Sequence, residues 1–152
     1  MAEMRGTAIH VREAASEYGF VSLVGLRAED PIGIFKAVQK GLRFSALETF
    51  QRSSGLSTAD LADAIVITAR TLARRKEQGR LEPEESDRLL RVARVFAKAL
   101  ELFEGDAGQA RTWLSGPQRA LGGERPLVLA RTDLGAREVE ALADRLEHGV
   151  LT

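Results

Sequence analysis

Leu56-Ser57-Thr58-Ala59-Asp60-Leu61-Ala62, followed after a short break by Thr68-Ala69-Arg70-Thr71-Leu72-Ala73-Arg74-Arg75-Lys76, is the stretch on which the fold turns. Ser57 and Asp60 have capping-box spacing, and Leu56 and Leu61 have the spacing of a hydrophobic staple, so a helix begins here. Ile65–Ile67 reads as a turn. Thr68 then opens a second helix, which Gly79 ends. Two short helices joined by a tight turn are therefore expected.

The second of these helices is unusually basic. Between Val66 and Arg80 stand Arg70, Arg74, Arg75, Lys76 and Arg80 against Glu77 alone, in a chain with 22 Lys+Arg and 22 Asp+Glu. At 100° per residue, Ala69, Leu72 and Ala73 fall on one side, to pack on the first helix. Arg70, Thr71, Arg74 and Gln78 fall on the other, with Arg75 at the margin. A recognition helix needs this layout, with guanidinium forks for phosphates and guanine edges and hydroxyls for phosphate. Thr68, Arg70, Thr71, Arg74, Arg75 and Gln78 are the expected DNA-binding residues. A solvated basic face is the alternative, but the capped helix upstream supplies the partner that such a motif requires. Arg70 and Arg74 also repel at i,i+4, a small cost that a phosphate would relieve.

Outside this pair the helical spacing continues, with no alternating strand pattern in competition. Asp30-Pro31 caps and starts a helix that runs to about Lys40 and stops at Gly41. Another passes through Leu47 and Phe50 and ends at Ser54-Gly55. Pro83 opens a long helix whose apolar positions, from Leu89 to Phe103, cover a wide face, as in a central buried helix. Asp106 and Gln109 start a short helix with Ala110, Trp113 and Leu114, which Gly116-Pro117 ends. Thr132-Asp133 opens the last, with Val139, Leu142 and Leu146 on one stripe, and Gly149 ends it before the apolar tail Val150-Leu151-Thr152. Residues 1–30 are less legible: a short helix near His10 to Tyr18, then Phe20–Leu26 as an arm, a short strand or a dimer contact. The expected class is all-α.

Several functions are excluded on composition. Without cysteine there are no disulfides, thiolate metal sites or cysteine nucleophiles. His10 and His148 stand apart, with neither H-E-x-x-H nor G-x-S-x-G spacing nearby. Glu82, Glu84, Glu85 and Asp87 sit in the first turn of a helix, where carboxylates complement the helix dipole, so metal binding is not expected. Gly122-Gly123 reads as a turn and lacks the pattern of a phosphate loop. Tyr18 and Trp113 are single, which disfavours a base-stacking single-strand binder. No signal-peptide core or membrane-length apolar run is seen, and a cytoplasmic protein without cofactor or catalytic residues is expected.

The ordered series of motifs resembles a known family. Leu56 to Ala62, Thr68 to Lys76 and Gly79-Arg80-Leu81 resemble an Xre-type helix-turn-helix. Glu85-Ser86-Asp87-Arg88-Leu89, then Ala110-Arg111-Thr112-Trp113-Leu114, Ala120 to Leu127, Thr132-Asp133-Leu134-Gly135, Val139 and Gly149 resemble the antitoxin Xre/MbcA/ParS toxin-binding domain. The resemblance implies an arm at 1–30, a helix-turn-helix domain at 31–104 and a toxin-binding domain at 105–152. It implies the antitoxin of a type II pair, which binds a RES-domain, NAD-consuming toxin and represses its own operon through double-stranded operator DNA. Val139, Leu142, Leu146, Gly149, Val150, Leu151 and Thr152 are the expected toxin-binding residues, with the tail entering the toxin's cleft or simply fraying. A homodimer is expected, because one short recognition helix reads too few base pairs alone. Phe20–Leu26 and Ile32–Val38 are the candidate contacts. The other reading is a stand-alone regulator whose C-terminal domain dimerises or senses a ligand. One departure matters: Ile65-Val66 occupies the turn where such motifs often have glycine.

Overall fold

Cap side chains decide where the helices begin. The computed structural model describes residues 18–27 and 30–149. α1, Pro31–Lys40, starts behind Asp30, whose carboxylate accepts from the Gly33 amide at 2.6 Å. α2, Phe44–Ser54, ends at Gly55. α3, Thr58–Ala64, and α4, Ala69–Gln78, form the helix-turn-helix, capped by the hydroxyls of Ser57 and Thr68 at 3.0 Å each. α5 is Pro83–Leu102 and α6 is Ala107–Ser115, with Asp106 accepting from the Gln109 amide at 3.0 Å. α7, Pro126–Leu129, is a single turn. α8, Asp133–Glu147, begins where the Thr132 hydroxyl accepts from the Gly135 amide at 3.0 Å. Among the described residues there is no strand, and the fold is all-α.

α5 lies at the centre. Leu89, Val92, Ala93, Val95, Phe96 and Ala99 have no exposed surface, and they point around most of the helix circumference. α2 meets it through Phe50, whose ring stands edge-on to Phe96 at 5.8 Å between centroids. α8 lies along another side, burying Ala136, Val139, Leu142 and Ala143. Polar pairs line that contact: Arg94 with Glu140 at 2.5 Å and Lys98 with Asp144 at 2.9 Å. Such half-exposed pairs contribute little stability and mainly set the register of the two helices.

The stretch Phe20–Leu26 is neither a free arm nor a strand. Gly19–Val24 is a 3-10 turn packed on α2 and α5, with Val21, Leu23 and Val24 buried in the core. Their burial within the chain removes them as a surface for a second copy. The helix expected near His10 and the tail Val150-Leu151-Thr152 lie outside the described residues.

The turn between α3 and α4 carries its departure from glycine openly. Ile65 is buried, and the Ile67 amide donates to the Ala62 carbonyl at 2.9 Å, closing the end of α3. The residue between them, Val66, is half exposed and sits at φ +60°. This is the left-handed position that glycine fills at helix ends, and a β-branched side chain is strained there. Val66→Gly is expected to raise the stability of the folded chain by about 1 kcal/mol, the relieved strain exceeding the added chain entropy. Urea unfolding checks this; an unchanged or lower midpoint would show that Val66 contributes packing that outweighs its strain.

Candidate nucleic-acid interface and partner surface

α4 is held to the body by few contacts, and they decide which way it faces. Leu72 is its one buried residue, and Thr71 and Arg75 are half buried on the same side. Ala69, Arg70, Ala73, Arg74, Lys76, Glu77 and Gln78 are exposed. The helix is thus rotated from the orientation expected above: Ala69 and Ala73 face outward and Thr71 turns inward. Alanine is too small to mark a buried face, and the side that turns inward is that of Leu72, Thr71 and Arg75.

The six expected DNA-binding residues divide accordingly. Arg70 and Arg74 are exposed, and neither makes an ion pair or a side-chain hydrogen bond among the described residues. The Thr68 hydroxyl caps α4 and donates to the Thr71 hydroxyl at 3.0 Å. Gln78 accepts from Arg75 at 3.2 Å. Arg75 does not face outward at all. Its guanidinium forks onto Glu85 at 2.8 and 3.1 Å, with the two side chains 11% and 7% exposed. Glu85 also accepts from the Glu82 amide at 2.9 Å, which caps the start of α5. One carboxylate therefore joins α4 to the central helix. Burial alone would raise the Glu85 carboxyl, but Arg75, the Glu82 amide and nearby Arg88 together hold it below the usual range. Glu85 was legible as a first-turn carboxylate; its pairing with Arg75 carries no signature in sequence spacing.

The C-terminal surface is also redistributed. Val139 and Leu142 are core residues against α5, not contact residues. Leu146 is half buried and Gly149 exposed. The outward stripe of α8 runs through Leu134, Arg137, Glu138, Arg145 and His148, and Leu134 is 73% exposed, an unusual position for leucine. Trp113 packs edge-on to Phe103 at 6.4 Å, as a core-edge residue. α7 and the turn after it are tied to α3, where Asp63 pairs with Arg131 and approaches Arg125 at 3.9 Å.

These two halves match two family models. Residues 34–94 match the antitoxin Xre-like helix-turn-helix domain, and residues 98–149 match the antitoxin Xre/MbcA/ParS C-terminal toxin-binding domain. Antitoxin Xre of Yersinia enterocolitica is 37% identical over 130 residues, covering 85% of this chain and 88% of that protein. The chain belongs to the Xre antitoxin family. Antitoxin Xre of Photorhabdus laumondii is 32% identical over 76% of this chain and 78% of its own length. That of Pseudomonas putida is 38% identical over 55% and 53%. The two matched regions meet inside α5, between residues 94 and 98.

Xre antitoxins are regulatory proteins, and this chain is not an enzyme. The His148 ring lies 2.7 Å from the Asp144 carbonyl on an exposed helix end, and His10 lies outside the described residues. Among the described residues one carboxylate trio, Glu101, Asp144 and Glu147, could approach a cation, but the Lys98 ammonium already lies 2.9 Å from Asp144 and 3.6 Å from Glu101. No helix among the described residues is long and apolar enough to cross a membrane.

The Arg75–Glu85 pair makes stability depend on pH in one direction. Because the folded carboxyl titrates below its unfolded value, near 4.3, its contribution is complete above that pH. It is lost as pH falls through the depressed folded value. Glu85→Gln should therefore lower the unfolding midpoint at pH 7 and leave little difference from the parent chain in strong acid. Equal losses at pH 7 and below pH 3 would show that the pair is not the source.

Proposed function

We propose that this chain is the antitoxin of a type II toxin–antitoxin pair. It binds and occludes a RES-domain toxin that consumes NAD, and it binds operator DNA to repress its own operon in the cytoplasm. The observation that carries this reading is the succession of an Xre-like helix-turn-helix domain and a toxin-binding domain in one chain, with Arg70 and Arg74 exposed on the recognition helix. These two arginines, with Lys76 beside them, enter the major groove. Thr68, Thr71 and Arg75 hold the helix in place for them. The working form is a homodimer, since two recognition helices are needed to read enough base pairs. It pairs through α1, where Ile32 and Phe35 are 62% and 57% exposed.

The toxin is bound by the outward stripe of α8 from Leu134 to His148, with Leu146 and Gly149 at its end. Val150-Leu151-Thr152 continue from that end into the toxin's cleft. Three extended residues reach about 10 Å, enough to enter a cofactor site, and an NAD site accepts apolar surface such as Val150 and Leu151 offer.

Two surfaces on one chain should be separable. Arg70→Ala and Arg74→Ala should weaken operator binding while toxin neutralisation is kept. A lost phosphate contact lowers the salt slope by about 0.9, and a lost base contact costs roughly 1–3 kcal/mol. Deleting Val150-Leu151-Thr152 should do the reverse: DNA binding persists, and the toxin still consumes NAD. Mobility shift on the region upstream of the gene and NAD loss in the presence of toxin read the two arms. Unaltered DNA binding by both arginine variants would refute the recognition-helix assignment, and full inhibition by the truncated chain would refute tail occlusion.

A further inference from the structure

A cleft of about 690 Å³ opens where the recognition helix ends. Its rim carries Lys36 and Lys40 from α1, Arg43 from the start of α2, and Arg80 from the loop after α4, with the hydroxyl residues Ser45 and Thr49 along its wall. Among the described residues no Asp or Glu lines it. All four cations are exposed, and no ion pair involves any of them among the described residues. Arg80 donates to the Gly41 carbonyl at 2.6 Å, while Lys36, Lys40 and Arg43 make no side-chain hydrogen bond among the described residues. In a chain of balanced charge, four uncompensated cations around one concavity form a local positive field, which a polyanion would neutralise.

The position of the cleft says which polyanion. Gly79 ends α4, and its carbonyl accepts from the Phe44 amide at 2.9 Å; Arg80 and Arg43 then pair as a short antiparallel bridge, with the Leu81 amide on the Leu42 carbonyl at 2.8 Å. Gly41, at φ +83°, allows that approach, because a Cβ there would collide with the Leu81 carbonyl. The cleft is thereby fastened to the C-terminal end of the recognition helix. A ten-residue helix is about 15 Å long. A major groove is about 12 Å wide. When Arg70 and Arg74, in the first six residues of α4, reach the bases, the end of α4 lies toward the edge of the groove, against the sugar-phosphate backbone.

We infer that the cleft of Lys36, Lys40, Arg43 and Arg80 is a second DNA contact, a clamp for backbone phosphates flanking the groove occupied by α4. This rests on the reading of the chain as a DNA-binding protein. Phosphate contacts position a protein without reading sequence, so the clamp sets affinity and register while α4 supplies specificity.

The test uses the full chain with Lys40→Gln and Arg43→Gln, singly and together, because both side chains are exposed and neither holds the fold. Two duplexes serve as probes: the region upstream of the gene, and an unrelated sequence of equal length. Each substitution should lower the salt slope by about 0.9 and weaken binding about fivefold at 0.15 M salt, equally on both duplexes. Arg70→Ala, run alongside, should instead reduce the preference for the upstream duplex. Unchanged affinity and slope in the double variant, with Arg70→Ala impaired, would overturn the clamp and leave the DNA reading standing. A parent chain that binds neither duplex would overturn both. Inorganic tripolyphosphate is the control for a small-anion site: loss of its binding in the double variant, with DNA binding intact, also overturns the clamp.

Discussion

Nearly every element is placed by the burial of one helix. α5 has apolar side chains around most of its circumference, and a 20-residue helix in that state cannot exist until neighbours cover it. The 3-10 turn at Gly19–Val24, α2, α6 and α8 are those neighbours, each contributing a stripe of leucine, valine, alanine or phenylalanine. Burying a single large side chain of this kind is worth about 1.5–3 kcal/mol, so the fully buried ones together dominate the other interactions. Residues assigned to the helix-turn-helix domain and to the toxin-binding domain thus meet on one shared helix.

The helix-turn-helix itself is attached differently. α4 buries only Leu72, so apolar area cannot fix its orientation. Polar ties do so: the Thr68 cap, the fork of Arg75 on Glu85, and the backbone pairing of residues 79–81 with 42–44. Directional bonds hold a lightly packed helix at a set angle, and they leave its outer face clear. An arginine that looks like a DNA ligand by composition is, in three dimensions, what keeps the neighbouring arginines pointed outward.

Helix starts and stops were readable because their signals are local. Asp30, Ser57, Thr68, Asp106 and Thr132 each cap the helix expected of them, and Gly41, Gly55 and Gly79 end theirs. The family was readable from an ordered series of such motifs. Faces were harder. The alanines of α4 are compatible with either side, and the Arg75–Glu85 pair joins residues whose relation depends on how two helices pack. Val139 and Leu142 form a stripe on α8 that suits a partner's surface as well as a core; only the presence of α5 beneath them decides for the core. Phe20–Leu26 lacked helical or strand periodicity because it plugs the core as a 3-10 turn. Val66 was legible as an anomaly, and its positive φ is the physical form of that anomaly.

Both halves are built on α5 and stand or fall together, which unfolding reports directly. Trp113, the one tryptophan of the chain, packs on Phe103 in the C-terminal half, whereas far-ultraviolet circular dichroism follows the helices of the whole chain. Urea unfolding followed by both signals should give coincident transitions with one midpoint, as a single cooperative unit requires. A tryptophan transition complete while much of the helical signal persists would instead show two independently stable domains.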